Sequence, residues 1–432
     1  MKKHLQNLFK SELFRNSSIL ISGTAFAQLI PILLRPILSR AFSPEMFGAY
    51  SVYSSLIGML IVISSFKYEL AIIIPRKDKE AAGIFFLTIF LNLIFNLFLL
   101  LIIIFWKSKI LHALNFSETF GIYLFLVPLG TFLLSFYQSI NYWLIRKKKF
   151  FPITVNKFVR RGFEGTSQIT FKFLNISHGL IFGDIIGHIS NVISGIYQGV
   201  RSGLTINLLS TAKLKYVLSK YSEYPKYNVI PSLMSACSYL LPAIMINKFY
   251  SAENAGFFDQ SKLLLSIPLS LVASSIANVL LQRISDKSKS NLSIRKDLSS
   301  VLIFVLLAVT FEIVIILIWG EDIFRIFFGL KWVFSGTISK ILVWAFAFNF
   351  IVTSFSSVFI SLKKIKLLSI WQFFYFISIL SLFWFNNLAF DSFLKLYVII
   401  ELTCCSIITM FIFYIVLNYE KQISESGLSK II

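Results

Sequence analysis

Charge is scarce in this chain. Asp, Glu, Lys and Arg together make up 14% of 432 residues, where soluble domains carry about a quarter. Acidic residues are the rarer sign, 20 against 41 basic ones, which leaves a formal net charge of +21. Cysteine occurs three times: Cys237, Cys404 and Cys405 all lie in apolar segments. None has metal-ligand spacing, so neither a disulfide framework nor a zinc site is expected. The sequence also lacks a P-loop pattern, a carboxylate pair of defined spacing, and a nucleophile with an evident base. No catalytic residue, metal ligand or cofactor is expected, and the reading is not that of an enzyme. Nor is there a loop long enough to be a soluble domain; the longest, about residues 200–224, is basic.

What is present is apolar surface. Hydrophobic residues fill 56% of the positions, and they are gathered into runs about one hydrocarbon thickness long, set between short charged clusters. Such a chain is an all-α integral membrane protein, because only helices or closed barrels satisfy their backbone groups in lipid and barrel alternation is absent. Hydropathy places twelve spans near residues 17–39, 45–66, 81–105, 119–143, 151–173, 178–199, 225–247, 255–281, 298–319, 334–360, 367–386 and 393–418. Ala25-Phe26-Ala27 imitates a signal-peptidase site, but the apolar run continues to Leu38, which predicts a retained first span. With both termini in the cytoplasm, 27 basic residues fall in inner segments and nine in outer ones. That bias accounts for the net charge without nucleic acid.

The chain repeats itself. Ser39–Tyr50, after the first span, recurs 208 residues later as Asn247–Phe258: Ser43, Glu45 and Gly48 match Ser251, Glu253 and Gly256. Pro31 and Pro36 fall in the opening span of one half, Pro231 and Pro242 in that of the other. This predicts two six-helix lobes, residues 1–222 with a cytoplasmic linker at 200–224, and residues 223–432. Parallel repeats of this kind suit alternating access around a central cavity.

Several charges lie where lipid should be. Lys157, Arg160, Arg161, Glu164, Gln168 and Lys172 share one face of the fifth span. Each charge near a helix centre costs about 2.5 to 3.5 kcal/mol on insertion scales, so the stripe is not expected to face lipid. One reading has Lys157 and Arg160 reaching to headgroups while Arg161 pairs with Glu164; the other is a cationic cavity wall. Asp184, His188 and Asn191 lie on a similar face of the sixth span, where Gly179, Gly183 and Gly187 permit close approach. Arg35, Lys262 and Lys340 are further candidate cavity cations, and Glu312 and Glu401 are candidate coupling carboxylates.

Lys67-Tyr68-Glu69-Leu70-Ala71-Ile72 with Pro75, Asn141-Tyr142-Trp143 before Arg146–Lys149, and the segment Asp259–Pro268 carry a family resemblance. They resemble segments of bacterial polysaccharide-unit flippases, the O-antigen and capsule translocases of the MATE-like MOP superfamily. The resemblance implies a flippase that moves undecaprenyl-diphosphate-linked oligosaccharide from the inner to the outer leaflet of the cytoplasmic membrane. A basic cavity would hold the diphosphate, through Arg160, Arg161 and Lys262. The polyprenyl tail would stay in lipid, and a polymerase and a chain-length regulator of the same pathway are implied partners. Lys67 stands where the motif more commonly has Arg, which removes a bidentate donor. An exporter of small cationic compounds is the alternative within the same superfamily. From the residues themselves, Ala71–Ile74 is expected as a short extended or interfacial segment ended by Pro75, with Glu69 beside Lys67 or Arg76.

Overall fold

A computed structural model describes residues 12–116, 118–205 and 211–425. Lys2, Lys3, Lys10 and Lys430, counted above as inner charges, lie outside the described residues. Twelve long helices follow the twelve expected spans in order. They are α1 (Glu12–Ala41), α2 (Pro44–Ser64), α3 (Asp78–Leu114), α4 (Leu126–Arg146), α5 (Phe150–Phe173) and α6 (Gly179–Arg201), then α7 (Glu223–Phe249), α8 (Ala252–Lys289), α9 (Arg295–Phe328), α10 (Val333–Phe355), α11 (Ile365–Leu380) and α12 (Phe390–Glu425). A shorter helix, Thr211–Lys220, lies in the basic connection between α6 and α7.

Among the described residues, ten segments are long and apolar enough to cross a membrane; α1 and α5 are the other two long helices. These two pack on each other: a Cβ at Gly165 of α5 would meet Leu34 of α1, and one at Gly23 would meet Thr154. Several helices outrun their apolar windows, as in Asp78–Leu114 and Phe390–Glu425. Hydropathy marks only the stretch solvated by hydrocarbon, whereas a helix continues into the headgroup layer while its backbone bonds are made. Outward faces stay apolar, with Phe98, Leu101 and Phe105 on α3 and Phe304, Leu307 and Phe311 on α9 all exposed.

By contacts the chain forms two compact units, Met1–Ala255 and Gly256–Ile432. In the first, α7 packs on α2, with Leu240 against Gly58 and Cys237 Sγ 3.7 Å from Met59 Sδ. The repeat would assign α7 to the second half; contact places it with the first unit. The matched serines of the repeat do the same local work. Ser43 Oγ accepts the Met46 N–H at 3.3 Å and caps α2, and Ser251 Oγ accepts the Asn254 N–H at 3.1 Å at the start of α8. Both paired prolines also lie inside helices, in α1 and α7. In the second unit, α8, α9, α10 and α12 bury a core that includes Ile284, Val305, Phe350 and Ile408.

The motif between α2 and α3 departs from its expected form. It is not extended: Tyr68–Ile73 is a 3-10 helix, entered through Phe66 and Lys67 at φ 52° and 61°. Tyr68, Ala71 and Ile72 are buried against Phe85, Ile140 and Trp143, so packing overrides the chain-breaking effect of nearby Pro75. Glu69 is buried, accepts the Ser65 hydroxyl at 2.5 Å, and lies 3.8 Å from Lys67 Nζ. Lys67, and not Arg76, is its recorded ion-pair partner.

Arg146, at the end of α4, gathers the segment. Its guanidinium donates to the carbonyls of Ile73 at 3.2 Å, Pro75 at 2.5 Å and Arg76 at 3.3 Å, and to Asp78 Oδ1 at 3.0 Å. Lys147 also pairs with Asp78. Tyr68 Oη donates to the Leu218 carbonyl at 2.9 Å, which ties the motif to the connecting helix. The Glu80 carboxylate, 2.5 Å from Lys220 Nζ, raises the Lys220 pKa above its ordinary value, with Tyr216 adding to the effect.

Arg146→Lys keeps the charge but loses the planar fork. At about 2 kcal/mol for hydrogen bonds to a charged group, local opening of residues 66–78 should rise roughly 30-fold. Deuterium uptake of that segment in the purified protein measures it.

Candidate functional site

The site begins with two spacings. On α6, Gly179, Gly183 and Gly187 recur every four residues and so fall on one face. That face meets α5 at backbone distance. A Cβ at Gly183 would lie 2.4 Å from Gln168 Cγ and 3.1 Å from the Glu164 carbonyl; one at Gly187 would lie 2.8 Å from Glu164 Cβ and 3.1 Å from the Arg160 carbonyl. The missing side chains bring the charged face of α5 onto the polar face of α6.

Five ionisable groups meet there. Arg161 Nη1 donates to Glu164 Oε2 at 2.8 Å, and Arg160 Nε is 3.9 Å from the same oxygen. Arg160 Nη2 lies 3.5 Å from Asp184 Oδ1 and 3.3 Å from His188 Nε2. His188 Nε2 is in turn 3.3 Å from Asp184 Oδ2. Glu164, Asp184 and His188 are buried, while the side chains of Arg160 and Arg161 remain 22% and 30% exposed. The cations are therefore the accessible members, and the carboxylates sit behind them.

Depth explains why they pair. Arg160 is the eleventh residue of the 24-residue α5, about 15 Å along the axis from its first residue, close to the middle of the helix. Its guanidinium turns onto Asp184 and His188 of α6.

The cluster extends to α2, on which the sequence marks no site residue. Tyr50 lies within electrostatic reach of Asp184, Glu164, Arg161 and Arg160. Tyr53 is buried, and its hydroxyl has no hydrogen-bond partner among the described residues. The same holds for His188 Nδ1 and Asn191 Oδ1. Tyr50 had entered the reading only as part of the repeat; no sequence signal marks a tyrosine that tertiary packing sets against charges on two other helices. Gln168 is spent on structure, donating to the Leu180 carbonyl at 3.1 Å, and Asn156 accepts from Ser194 at 2.6 Å.

The other candidates are scattered. Lys157 sits half-buried one turn before Arg160, and Lys172 is exposed near the end of α5. Arg35 is buried, with its guanidinium 4.3 Å from the centre of the Phe47 ring. In the second unit, Lys262 is buried on α8, within electrostatic reach of Asp259 and Glu401. Glu401 is buried on α12 and accepts the Tyr375 hydroxyl at 2.7 Å. Glu312 is half-buried on α9, with Oε2 unpartnered among the described residues. Lys340 pairs with Glu321 at 2.7 Å, so its charge is already balanced. No group of His, Cys, Asp and Glu among the described residues could hold a metal ion.

Comparison with solved structures defines the class. The fold is shared with an inward-facing multidrug resistance MATE family transporter of the MOP superfamily, at TM-score 0.71 and 14% identity, covering 91% of this chain and 96% of that one. It is shared equally with the lipid II flippase MurJ in its inward closed conformation, at TM-score 0.72 and 15% identity, covering 96% and 94%. A MOP superfamily transporter from Pyrococcus furiosus Vc1 aligns at TM-score 0.56 and 14% identity, over 95% and 94%. These likenesses establish the fold, and its long apolar helices make the chain a multi-pass membrane protein. The chain itself belongs to the family described as "Polysaccharide biosynthesis protein", whose profile matches residues 37–337. The family resemblance carried by the motif after α2 is thus upheld. No protein of curated function matches by sequence.

Gly187→Ala should destabilise the protein by about 1 to 3 kcal/mol through overpacking against α5. Gly162→Ala, whose Cβ would meet nothing within 4 Å, should instead gain up to about 1 kcal/mol of helix propensity. Thermal unfolding of the two variants in one detergent compares them.

Proposed function

We propose that this chain is a flippase that moves undecaprenyl-diphosphate-linked oligosaccharide repeat units from the inner to the outer leaflet of the cytoplasmic membrane. Its products would feed surface polysaccharide synthesis, O-antigen or capsule, with both termini in the cytoplasm. The observation that carries this reading is the pair Arg160 and Arg161, held at mid-helix depth with their carboxylate partners buried behind them. A diphosphate offers more acceptor oxygens than a carboxylate and suits guanidinium forks. It can therefore take the exposed side of both arginines while Glu164 and Asp184 hold them in place.

The step makes and breaks no covalent bond. An inside-negative potential favours outward movement of an anion, by about 2.3 kcal/mol per charge per 100 mV if it crosses the full drop. Polar groups of α5 and α6, with Tyr50 and Tyr53 of α2, would face the sugars, and the polyprenyl tail would remain in lipid. A polymerase and a chain-length regulator would act on the delivered units. The alternative, export of small cations, fits the cluster less well, because both of its carboxylates are already engaged by arginine.

Replacing both Arg160 and Arg161 by Gln should cut glycan export to below about a tenth, since each lost charge-assisted contact is worth roughly 1.5 to 3 kcal/mol, with the protein still inserted. Lipid-linked units should accumulate on the cytoplasmic leaflet. Export at the original rate would sink the site assignment. A deletion strain with normal surface glycan and no accumulation would sink the function.

A further inference from the structure

Apart from the charged cluster, the second unit holds a crevice of a different kind. It is a cavity of about 300 Å³ between α9, α10 and α12. Leu298 and Leu302 of α9, Ile351 and Phe355 of α10, and Ile412 and Val416 of α12 form its walls. Polar groups are confined to Arg295, Ser299 and Glu420 toward one end and Thr409 toward the other. On α12 the lining runs from Thr409 to Glu420, about 16 Å along the axis. That is about half of a roughly 30 Å hydrocarbon core, the depth of one leaflet.

The mouth carries one guanidinium and one carboxylate, Arg295 and Glu420. Arg295 opens α9, and its guanidinium is paired with no carboxylate among the described residues. The acids nearby are otherwise engaged. Glu420 Oε1 accepts the backbone N–H groups of Ile294 at 2.8 Å and Arg295 at 3.1 Å, so it caps the start of α9. Asp297 pairs with Arg283 at 3.3 Å and with Lys287 at 2.6 Å.

A one-leaflet apolar slot that ends in an unpaired guanidinium has the head-and-tail form of an anionic lipid. We propose that the crevice holds one acyl chain of an anionic phospholipid, with its phosphate on Arg295. The site lies wholly in the second unit and is independent of the substrate assigned to α5 and α6. On the far side of α12 a second, polar cavity of about 650 Å³ is lined by Lys363, Lys364 and Lys421. It has no comparable apolar wall and serves as the control.

The full-length protein is placed in nanodiscs of phosphatidylglycerol and phosphatidylcholine with identical chains, and retained lipid is measured by mass spectrometry after detergent extraction. One added cation predicts roughly fivefold enrichment of phosphatidylglycerol. Arg295→Gln should lower that ratio relative to the unaltered protein, and by more than Lys363→Gln does. Ser299→Trp, at an exposed mouth position, should reduce retention of both lipids. Equal retention of the two lipids by the unaltered protein overturns the proposal. So does unchanged enrichment in Arg295→Gln, unchanged retention in Ser299→Trp, or a fall in Lys363→Gln as large as that in Arg295→Gln. Displacement of phosphatidylglycerol by an equimolar polyprenyl phosphate assigns the crevice to the substrate's tail and overturns it as well.

Discussion

A charge at the middle of a membrane helix must be neutralised by something other than water, and that constraint organises the first unit. Arg160 and Arg161 find Glu164 on their own helix and Asp184 and His188 on α6. The pairing needs the two backbones to touch, which needs Gly183 and Gly187. The glycine face and the charged face are thus two halves of one requirement. Without the glycines the arginines would lie opposite lipid; without the charges close contact would be only one way among several to pack two helices.

The same economy of charge operates at the helix ends. The basic residues after α4 fit the positive-inside bias, yet Arg146 and Lys147 also hold a buried 3-10 turn and the start of α3 in place. Topological charge and structural charge are not separate populations here. A guanidinium at the membrane face can satisfy carbonyls that a tight turn leaves over. The motif after α2 is held from two sides: Arg146 of α4 takes the carbonyls of Ile73, Pro75 and Arg76, and Tyr68 reaches the connecting helix, while Glu69 is met locally by Ser65 and Lys67.

The second unit solves the problem differently. Its single buried carboxylate on α12, Glu401, is met by a tyrosine on α11, and its strongest concentrations of charge lie near the ends of α8, α9 and α12. The first unit gathers five buried or half-buried charges on α5 and α6, whereas the second buries Lys262 and Glu401 and keeps an apolar crevice with Arg295 at its mouth. An anionic substrate and an anionic lipid are the ligands these two arrangements suit.

Twelve helices, their order and the family were legible in the sequence, because a run of apolar residues about 20 long has few alternatives to a membrane helix. The repeat was legible too, since Ser43 and Ser251 are local N-caps whose work is finished within three residues. The stripe on α5 could be read as a face, because helical spacing alone puts it there. Its partners could not. Whether Arg160 reached a headgroup, a cavity or Asp184 depended on how closely α6 approached. Tyr50 and Tyr53 came into reach of the cluster only through the packing of α2. Of the two forms expected for Ala71–Ile74, the extended one fails, because Pro75 speaks for the local backbone while Arg146, some seventy residues away in sequence, closes the 3-10 turn at Tyr68–Ile73. Periodicity and hydropathy are properties of neighbours along the chain and determined the helices; charge pairing is a property of neighbours in space, and only the tertiary structure decided it.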